Sequence, residues 1–194
     1  MNLLFATQNS NKVKEIQAQI PSGISVKSLL DINYLEELEE TQTTLEGNAL
    51  QKVRFVHQKF GENCFADDTG LEVEALNGAP GVYSARYAGE EKSFEKNMDK
   101  LLSELKASEN RKAQFRTVIA CIYKGQEYVF EGICKGEITQ LKRGIEGFGY
   151  DPIFQPLGYS QTFAEMPLDL KTKIGHRGKA VDQLISFFKE QGFS

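Results

Sequence analysis

The sequence predicts an α/β fold with a mixed sheet, on three observations. Short apolar runs alternate with longer stretches whose apolar residues recur at helical spacing. Polar segments rich in capping and turn residues separate them. The resulting order, β-α-β-α-β-α-β-β-α, is that of layered helices and strands sharing one sheet. At 194 residues, with no repeat, low-complexity tract or interdomain linker, the chain reads as a single domain over 1–194.

Leu3 to Ala6 is a short buried strand. It enters Thr7-Gln8-Asn9-Ser10-Asn11, a polar turn of capping residues, and Val13, Ile16 and Ile20 then follow at helical spacing. Strand, polar turn and helix in succession present backbone N–H groups to an anion. Ile24 to Leu30 reads as the second strand. After the acidic run Glu36-Glu37-Leu38-Glu39-Glu40, Leu45, Ala49, Val53, Val56 and Phe60 mark one face of a helix. Thr44, Asn48 and Lys52 form a separate polar stripe on it, and Gly61-Glu62-Asn63 ends it. Cys64 to Ala66 is predicted as a brief strand that delivers Asp67-Asp68-Thr69-Gly70 at its end, with Leu71 to Ala75 extended beyond.

Asn77 to Gly81 is a turn, followed by Val82 to Tyr87 and the flexible pair Ala88-Gly89. Phe94, Met98, Leu101, Leu102 and Leu105 place a helix across 91–106. Phe115 to Tyr123 and Tyr128 to Cys134 are β-rich, with a hairpin turn at Lys124-Gly125-Gln126. Gly144 to Pro152 is a glycine-rich loop, and Ile153-Phe154 a strand. The last helix begins near Gly175-His176-Arg177 and buries Val181, Leu184, Ile185 and Phe188.

A net charge of −4 argues against a nucleic-acid partner, because a duplex reader needs a basic face to displace counterions. An acidic protein binds an anionic nucleotide only through local donors or a metal ion. Cys64, Cys121 and Cys134 form no C-x-x-C pair, and sparse, odd cysteines fit a reducing compartment. No segment approaches the ~20 apolar residues of a membrane span, and Met1 to Lys12 lacks a basic region followed by an apolar run. The expectation is a cytoplasmic protein without a membrane partner.

Chemistry centres on Asp67-Asp68. Adjacent residues on a strand point to opposite faces, so one carboxylate can face a cleft while the other supports the backbone. Hard oxygen ligands of this kind suit Mg²⁺, which takes one or two carboxylates. Taken singly, the tetrad is ordinary turn chemistry, Glu40 belongs to a solvated acidic run, and Lys12, Asn48 and Lys52 are surface polar residues. His176 alone could be a cap, and Phe148 alone a core anchor.

Together they form a pattern. Thr7-Gln8-Asn9-x-x-Lys12-x-x-Glu15, Glu40-Thr41-x-Thr43, Asn48-Ala49-x-x-Lys52 and Ala66-Asp67-Asp68-Thr69-Gly70-Leu71 occur in this order. Gly78-Ala79-Pro80-Gly81-Val82-Tyr83-Ser84-Ala85-Arg86, Phe148-Gly149-Tyr150-Asp151-Pro152, Lys171 and His176-Arg177-Gly178 follow. From Thr7 to Gly178 the chain closely resembles the Ham1/inosine triphosphate pyrophosphatase family. The resemblance implies a two-lobed ITPase-like domain with a long central mixed sheet, assembled as a homodimer. It implies Mg²⁺-dependent hydrolysis of ITP, dITP and XTP to the monophosphate and pyrophosphate. The triphosphate would be held by Thr7, Gln8, Asn9, Ser10, Asn11 and Lys12, with Asn48, Lys52 and Thr69. Glu40 and Asp68 would be the metal carboxylates, and Asp68 also the proton acceptor. Phe148 would stack on the base, while Gly149, Tyr150, Asp151, Lys171, His176 and Arg177 would read its edge.

Gln8, Gln42, Leu45, Thr69 and Gly175 depart from the family's usual residues. Gln8 and Gln42 replace glycines and forgo the freedom of a positive φ. Gly175 removes a possible cap or base contact. A Maf-type pyrophosphatase is disfavoured by the Phe148 loop with His176-Arg177. A regulator without catalysis is disfavoured by the intact Glu40, Asp68 and Lys52.

Overall fold

Capping residues bound the first two long helices. In the computed structural model, which describes residues 1–193, β1 (Asn2–Phe5) leads into α1 (Ser10–Gln17). The side chain of Asn9 caps α1 by accepting the N–H groups of Asn11 and Lys12. β2 (Ser25–Ser28) returns parallel to β1, with Leu3 opposite Val26. Thr44 caps α2 (Leu45–Phe60) by accepting from the Gly47 N–H, and Gly61 closes it. β3 (Cys64–Val73) and the short β4 (Pro80–Gly81) pair antiparallel, and α3 (Phe94–Glu104) follows.

β5 (Lys112–Tyr123) and β6 (Gln126–Ile138) are joined by Lys124-Gly125. Both joining residues have positive φ, 50° and 77°, the two-residue geometry whose twist matches the flanking strands. β7 (Phe154–Pro156), α4 (Leu168–Ile174) and α5 (His176–Glu190) complete the chain. The seven-stranded mixed sheet has the order β2-β1-β3-β5-β6-β7, with β4 beside β3.

The α/β class and mixed sheet agree with the sequence-based expectation, and two elements differ. β3 runs unbroken through Asp67-Asp68-Thr69-Gly70, where a turn was expected. Its neighbours in the sheet are β1, β4 and β5, with β1 paired at Cys64 and Phe65 before the tetrad and β4 at Leu71 and Glu72 after it, and this tertiary pairing overrides local turn preference. α4 was not anticipated. It has seven residues, starts after Pro167 and lacks a long apolar stripe.

The chain forms two compact units. The first comprises Met1–Asp68, Thr117–Gly132 and the described residues from His176 on. Its core gathers Leu3, Phe5, Ile16, Phe65, Ile119, Val181, Leu184 and Phe188, with Phe5 and Phe65 stacked at 4.5 Å. Gly132 belongs to this unit, and a Cβ there would lie 2.0 Å from the His176 carbonyl oxygen and 2.6 Å from the Ala180 nitrogen. The start of α5 therefore sits against a position that admits no side chain. The second unit comprises Thr69–Arg116 and Ile133–Gly175. Its core gathers Leu71, Leu101, Phe115, Ile153, Phe154 and Phe163. β3, β5 and β6 each contribute residues to both units. No helix among the described residues is long and apolar enough to cross a membrane.

Candidate active site

The alternation of β3 sends its two aspartates to different partners within the first unit. Asp67 is 1% exposed; one oxygen accepts from Lys12 Nζ at 2.8 Å, the other from Arg177 Nε at 3.0 Å. Arg177 Nη1 also donates to Glu15, which is buried on α1. Burial pushes the Asp67 carboxyl up, but Lys12, Arg177 and Lys52 overcome this and hold it well below the usual carboxylate range. Burial opposes the charge on Arg177 too, and Glu15 with Asp67 raises its pKa nonetheless. Asp67 is thus a fixed anion joining the start of α1 to the start of α5.

Asp68 joins a second cluster. Asn48 Nδ2 donates to its Oδ2 at 3.0 Å, and Lys52 Nζ lies 3.7 Å from its Oδ1. The same ammonium donates to Glu40 Oε1 at 2.6 Å and to the Asp67 carbonyl at 2.8 Å. Burial lowers the affinity of Lys52 for its proton, and Asp68, Glu40 and Asp67 more than restore it. The two carboxylates diverge. Burial and the charge of Glu40 raise Asp68, with Lys52 opposing, whereas the charge and hydrogen bond of Lys52 outweigh burial and lower Glu40. Opposite displacement of neighbouring carboxyls separates an acceptor from a permanently charged partner.

Two carboxylates converging on one cation match the demand of a hard divalent ion, which takes one or two carboxylates and leaves its other positions to water and phosphate. Among the described residues no group of three or more His, Cys, Asp or Glu side chains forms an all-protein cage. Glu40 and Asp68 are the residues that could hold such an ion.

The Thr7–Lys12 turn lies in the same unit, and its Lys12 reaches Asp67, the neighbour of Asp68. Thr7 Oγ1 accepts the Asn9 N–H at 3.2 Å, and Asn9 Oδ1 accepts the N–H groups of Asn11 and Lys12 at 3.0 and 3.3 Å. Ser10 is exposed at the first position of α1. Gln8 Nε2 donates to the carbonyls of Tyr34 and Glu36. Neither Gln8 nor Gln42 has a positive φ, so the glycine-to-glutamine departures impose no backbone strain.

The base-reading candidates Phe148 to Asp151 and Lys171 come together in the second unit. Asp151 Oδ2 accepts the Phe148 N–H at 2.7 Å and Lys171 Nζ at 2.6 Å. Gly147, at φ 76°, lies so close that a Cβ would stand 2.1 Å from that same oxygen. Lys171 Nζ stands 5.0 Å from the centre of the Phe148 ring, within cation–π range. Tyr150 is buried and donates to the Ser84 carbonyl at 2.8 Å. Ser84 in turn holds Leu71 N and Gly81 O, and Asn97 binds the Ser84 and Ala85 carbonyls. The Gly78–Arg86 motif is thus the frame on which the Phe148 loop is fastened.

Several of the expected substrate contacts have protein partners in this structure. Asn48 is fully buried, and both ends of its amide are engaged, by Asp68 and by the Gln42 N–H at 2.9 Å. Asp151 and Tyr150 hold their own loop, and Thr69 follows Asp68 on β3 at intermediate exposure. Arg177, expected at the edge of the base, turns Nε and Nη1 to Asp67 and Glu15 in the first unit. His176 is buried beside it at the start of α5. Glu15 carries no assigned role in the sequence reading. Its signal was a carboxylate one helical turn after Lys12 and next to the apolar Ile16.

A model of the Ham1 family matches residues 3–187. The chain belongs to the Ham1 family. It is 58% identical over 185 residues to the dITP/XTP pyrophosphatase of Flavobacterium johnsoniae, covering 95% of this chain and 96% of the relative. To that of Porphyromonas gingivalis it is 50% identical over 186 residues, covering 95% and 96%. The solved Ham1 protein of Staphylococcus aureus superposes with a TM-score of 0.88 at 38% identity, covering 98% of this chain and all of that one. A nucleoside-triphosphatase / dITP/XTP pyrophosphatase from Mycobacterium abscessus gives 0.76 at 41%, covering 95% and 98%. The likeness to other members of the Ham1 family therefore extends over both units.

Arg177→Met should expose the weight of the buried cluster. It leaves Glu15 and Asp67 without their guanidinium, and breaking a buried pair from one side costs about 3–5 kcal/mol. The urea midpoint should fall accordingly, and adding Glu15→Gln should recover part of the loss. An unchanged midpoint in Arg177→Met would show that the cluster does not hold the first unit together.

Proposed function

We propose that this protein hydrolyses non-canonical purine nucleoside triphosphates, ITP, dITP and XTP, to the monophosphate and pyrophosphate. The convergence of Glu40 and Asp68 on Lys52 carries the reading. Its Ham1-family relatives, named as dITP/XTP pyrophosphatases, support the substrate class. The ion proposed for Glu40 and Asp68 is Mg²⁺; when bound, it supplies Lewis-acid stabilisation of charge on the phosphoryl oxygens.

This chain's residues do the rest. Asp68, raised by burial, takes the proton of a water that attacks the α-phosphorus, and the bond from that phosphorus to the bridging oxygen of pyrophosphate breaks. Lys52 and Lys12 offset charge along the triphosphate, and Asn48 keeps the Asp68 carboxylate in one orientation. Thr7, Asn9, Ser10 and Asn11 shape the turn that receives the phosphates. Phe148 supplies a ring for stacking, and Lys171 an ammonium donor for the 6-oxo group of hypoxanthine and xanthine. Adenine presents a 6-amino donor there, and a buried donor left unpaired costs about 1–3 kcal/mol. Arg177 acts through Asp67 as a positioning residue. We extend the proposal to a cytoplasmic homodimer. Three buried free cysteines support a reducing compartment, and pairing is the usual state in the family.

Incubation with ITP should yield IMP and pyrophosphate, and EDTA should stop it. Glu40→Gln should raise the Mg²⁺ concentration needed for half-maximal turnover. Release of orthophosphate from the γ position, or full turnover in EDTA, would contradict the reading.

The base half has its own signature. Phe148→Ala should weaken ITP, XTP, GTP and ATP together, by about 1–3 kcal/mol, because stacking tolerates any base face. Lys171→Met should instead reduce the ITP-to-ATP ratio in kcat/KM, mainly by losing ITP turnover. A wild-type ratio in Lys171→Met would remove Lys171 from base selection.

A further inference from the structure

Glu40 reaches Lys52 from a stretch of chain that has no regular structure of its own. Residues 34–43 form neither helix nor strand, so what positions Glu40 must lie at the ends of this strap. Its C-terminal end is tied to α2. Thr41 N donates to Gln51 Oε1 at 3.1 Å, Gln51 Nε2 donates to Thr41 Oγ1 at 3.0 Å, and Gln42 N donates to Asn48 Oδ1. At the N-terminal end, the Tyr34 ring packs edge-on against Phe60 at 5.7 Å, with the Lys59 ammonium 4.6 Å from its centre. Lys59 also pairs with Glu36 at 3.8 Å, and a further tie comes from the phosphate turn. Gln8 Nε2 donates to the Tyr34 carbonyl at 3.1 Å and to the Glu36 carbonyl at 2.8 Å.

A carboxamide nitrogen has two hydrogens, and these two carbonyls match both. Gln8 therefore grips the strap by its backbone, which no substitution of strap side chains would alter. It lies between Thr7 and Asn9, whose side chains shape the turn before α1. One residue thus links the phosphate turn to the segment that carries a carboxylate of the proposed metal pair. We infer that Gln8 is a positioning residue, a latch that holds the 34–40 strap to the phosphate turn and so fixes Glu40 beside Lys52. Its nitrogen serves the protein and not the triphosphate. The kinetic part of this inference rests on the proposed pyrophosphatase activity; the latch itself does not.

Gln8→Met keeps the length of the side chain and removes both donors. Hydrogen exchange of the metal-free protein, followed by mass spectrometry, should show faster exchange across residues 35–42, by roughly ten-fold for the loss of such bonds, with 45–60 as in wild type. Gln8→Glu, which sets a carboxylate against the two carbonyls, should show at least as large a change. In turnover, the half-saturating Mg²⁺ concentration should rise by a similar factor, while the KM for ITP at saturating Mg²⁺ moves by less than about two-fold. Unchanged exchange across 35–42 in both variants would overturn the latch. A raised ITP KM with the Mg²⁺ dependence intact would also overturn it and make Gln8 a substrate contact. If wild type released no pyrophosphate from any triphosphate, the proposed function would fail while the exchange measurement still decided the latch.

Discussion

The first unit depends on burying the charges of Asp67 and Asp68 at neighbouring positions of one strand. An unpaired buried carboxylate is prohibitively costly, with an effective penalty of several kcal/mol per ion even after relaxation. Each must therefore bring cations to itself, and the strand's alternation sends the two searches in different directions. Asp67 draws Lys12 from α1 and Arg177 from α5, and Asp68 draws Lys52 and Asn48 from α2. Three helices of the first unit are thereby placed by two consecutive residues.

In the proposed mechanism this division separates support from reaction. Asp67 is surrounded by positive charge and stays ionised. Asp68 shares Lys52 with Glu40 and retains a raised affinity for protons. Beside the Lys52 ammonium, the neutral amide of Asn48 hydrogen-bonds the Asp68 carboxylate and extends the contact to Gln42 at the end of the strap. The second unit follows a similar economy. Asp151 organises its loop and holds Lys171, while Tyr150 fastens the loop to Ser84, leaving Phe148 and Lys171 as the residues suited to meet a ligand.

Much of this was legible in the sequence, and the exceptions have physical causes. α2 announces itself by apolar periodicity over Leu45 to Phe60, and its polar stripe brings Asn48 and Lys52 to one cluster. The β5–β6 hairpin is marked by Lys124-Gly125. The Asp-Asp-Thr-Gly tetrad has the composition of a turn, yet the pairing of β3 with β1 before it and with β4 after it keeps it extended, a constraint no local pattern contains. α4 is too short to display a period. The ion pairs of Arg177 were not legible, because residue type reveals donors without revealing which carboxylates they meet, and Glu15 is 162 positions away along the chain. The two lobes came from the resemblance and not from any linker, because β3, β5 and β6 each contribute residues to both units.

The central claim is that Asp67 supports and Asp68 reacts, and a matched pair of variants measures it directly. Urea unfolding and ITP turnover would be recorded for Asp67→Asn and Asp68→Asn. The account predicts that Asp67→Asn loses most of its denaturation midpoint while retaining measurable turnover. Asp68→Asn should unfold near the wild-type midpoint yet lose about 10²–10⁴-fold in kcat, the range for removing a general base. Equal turnover of Asp68→Asn and wild type, or a larger stability loss in Asp68→Asn than in Asp67→Asn, would contradict it.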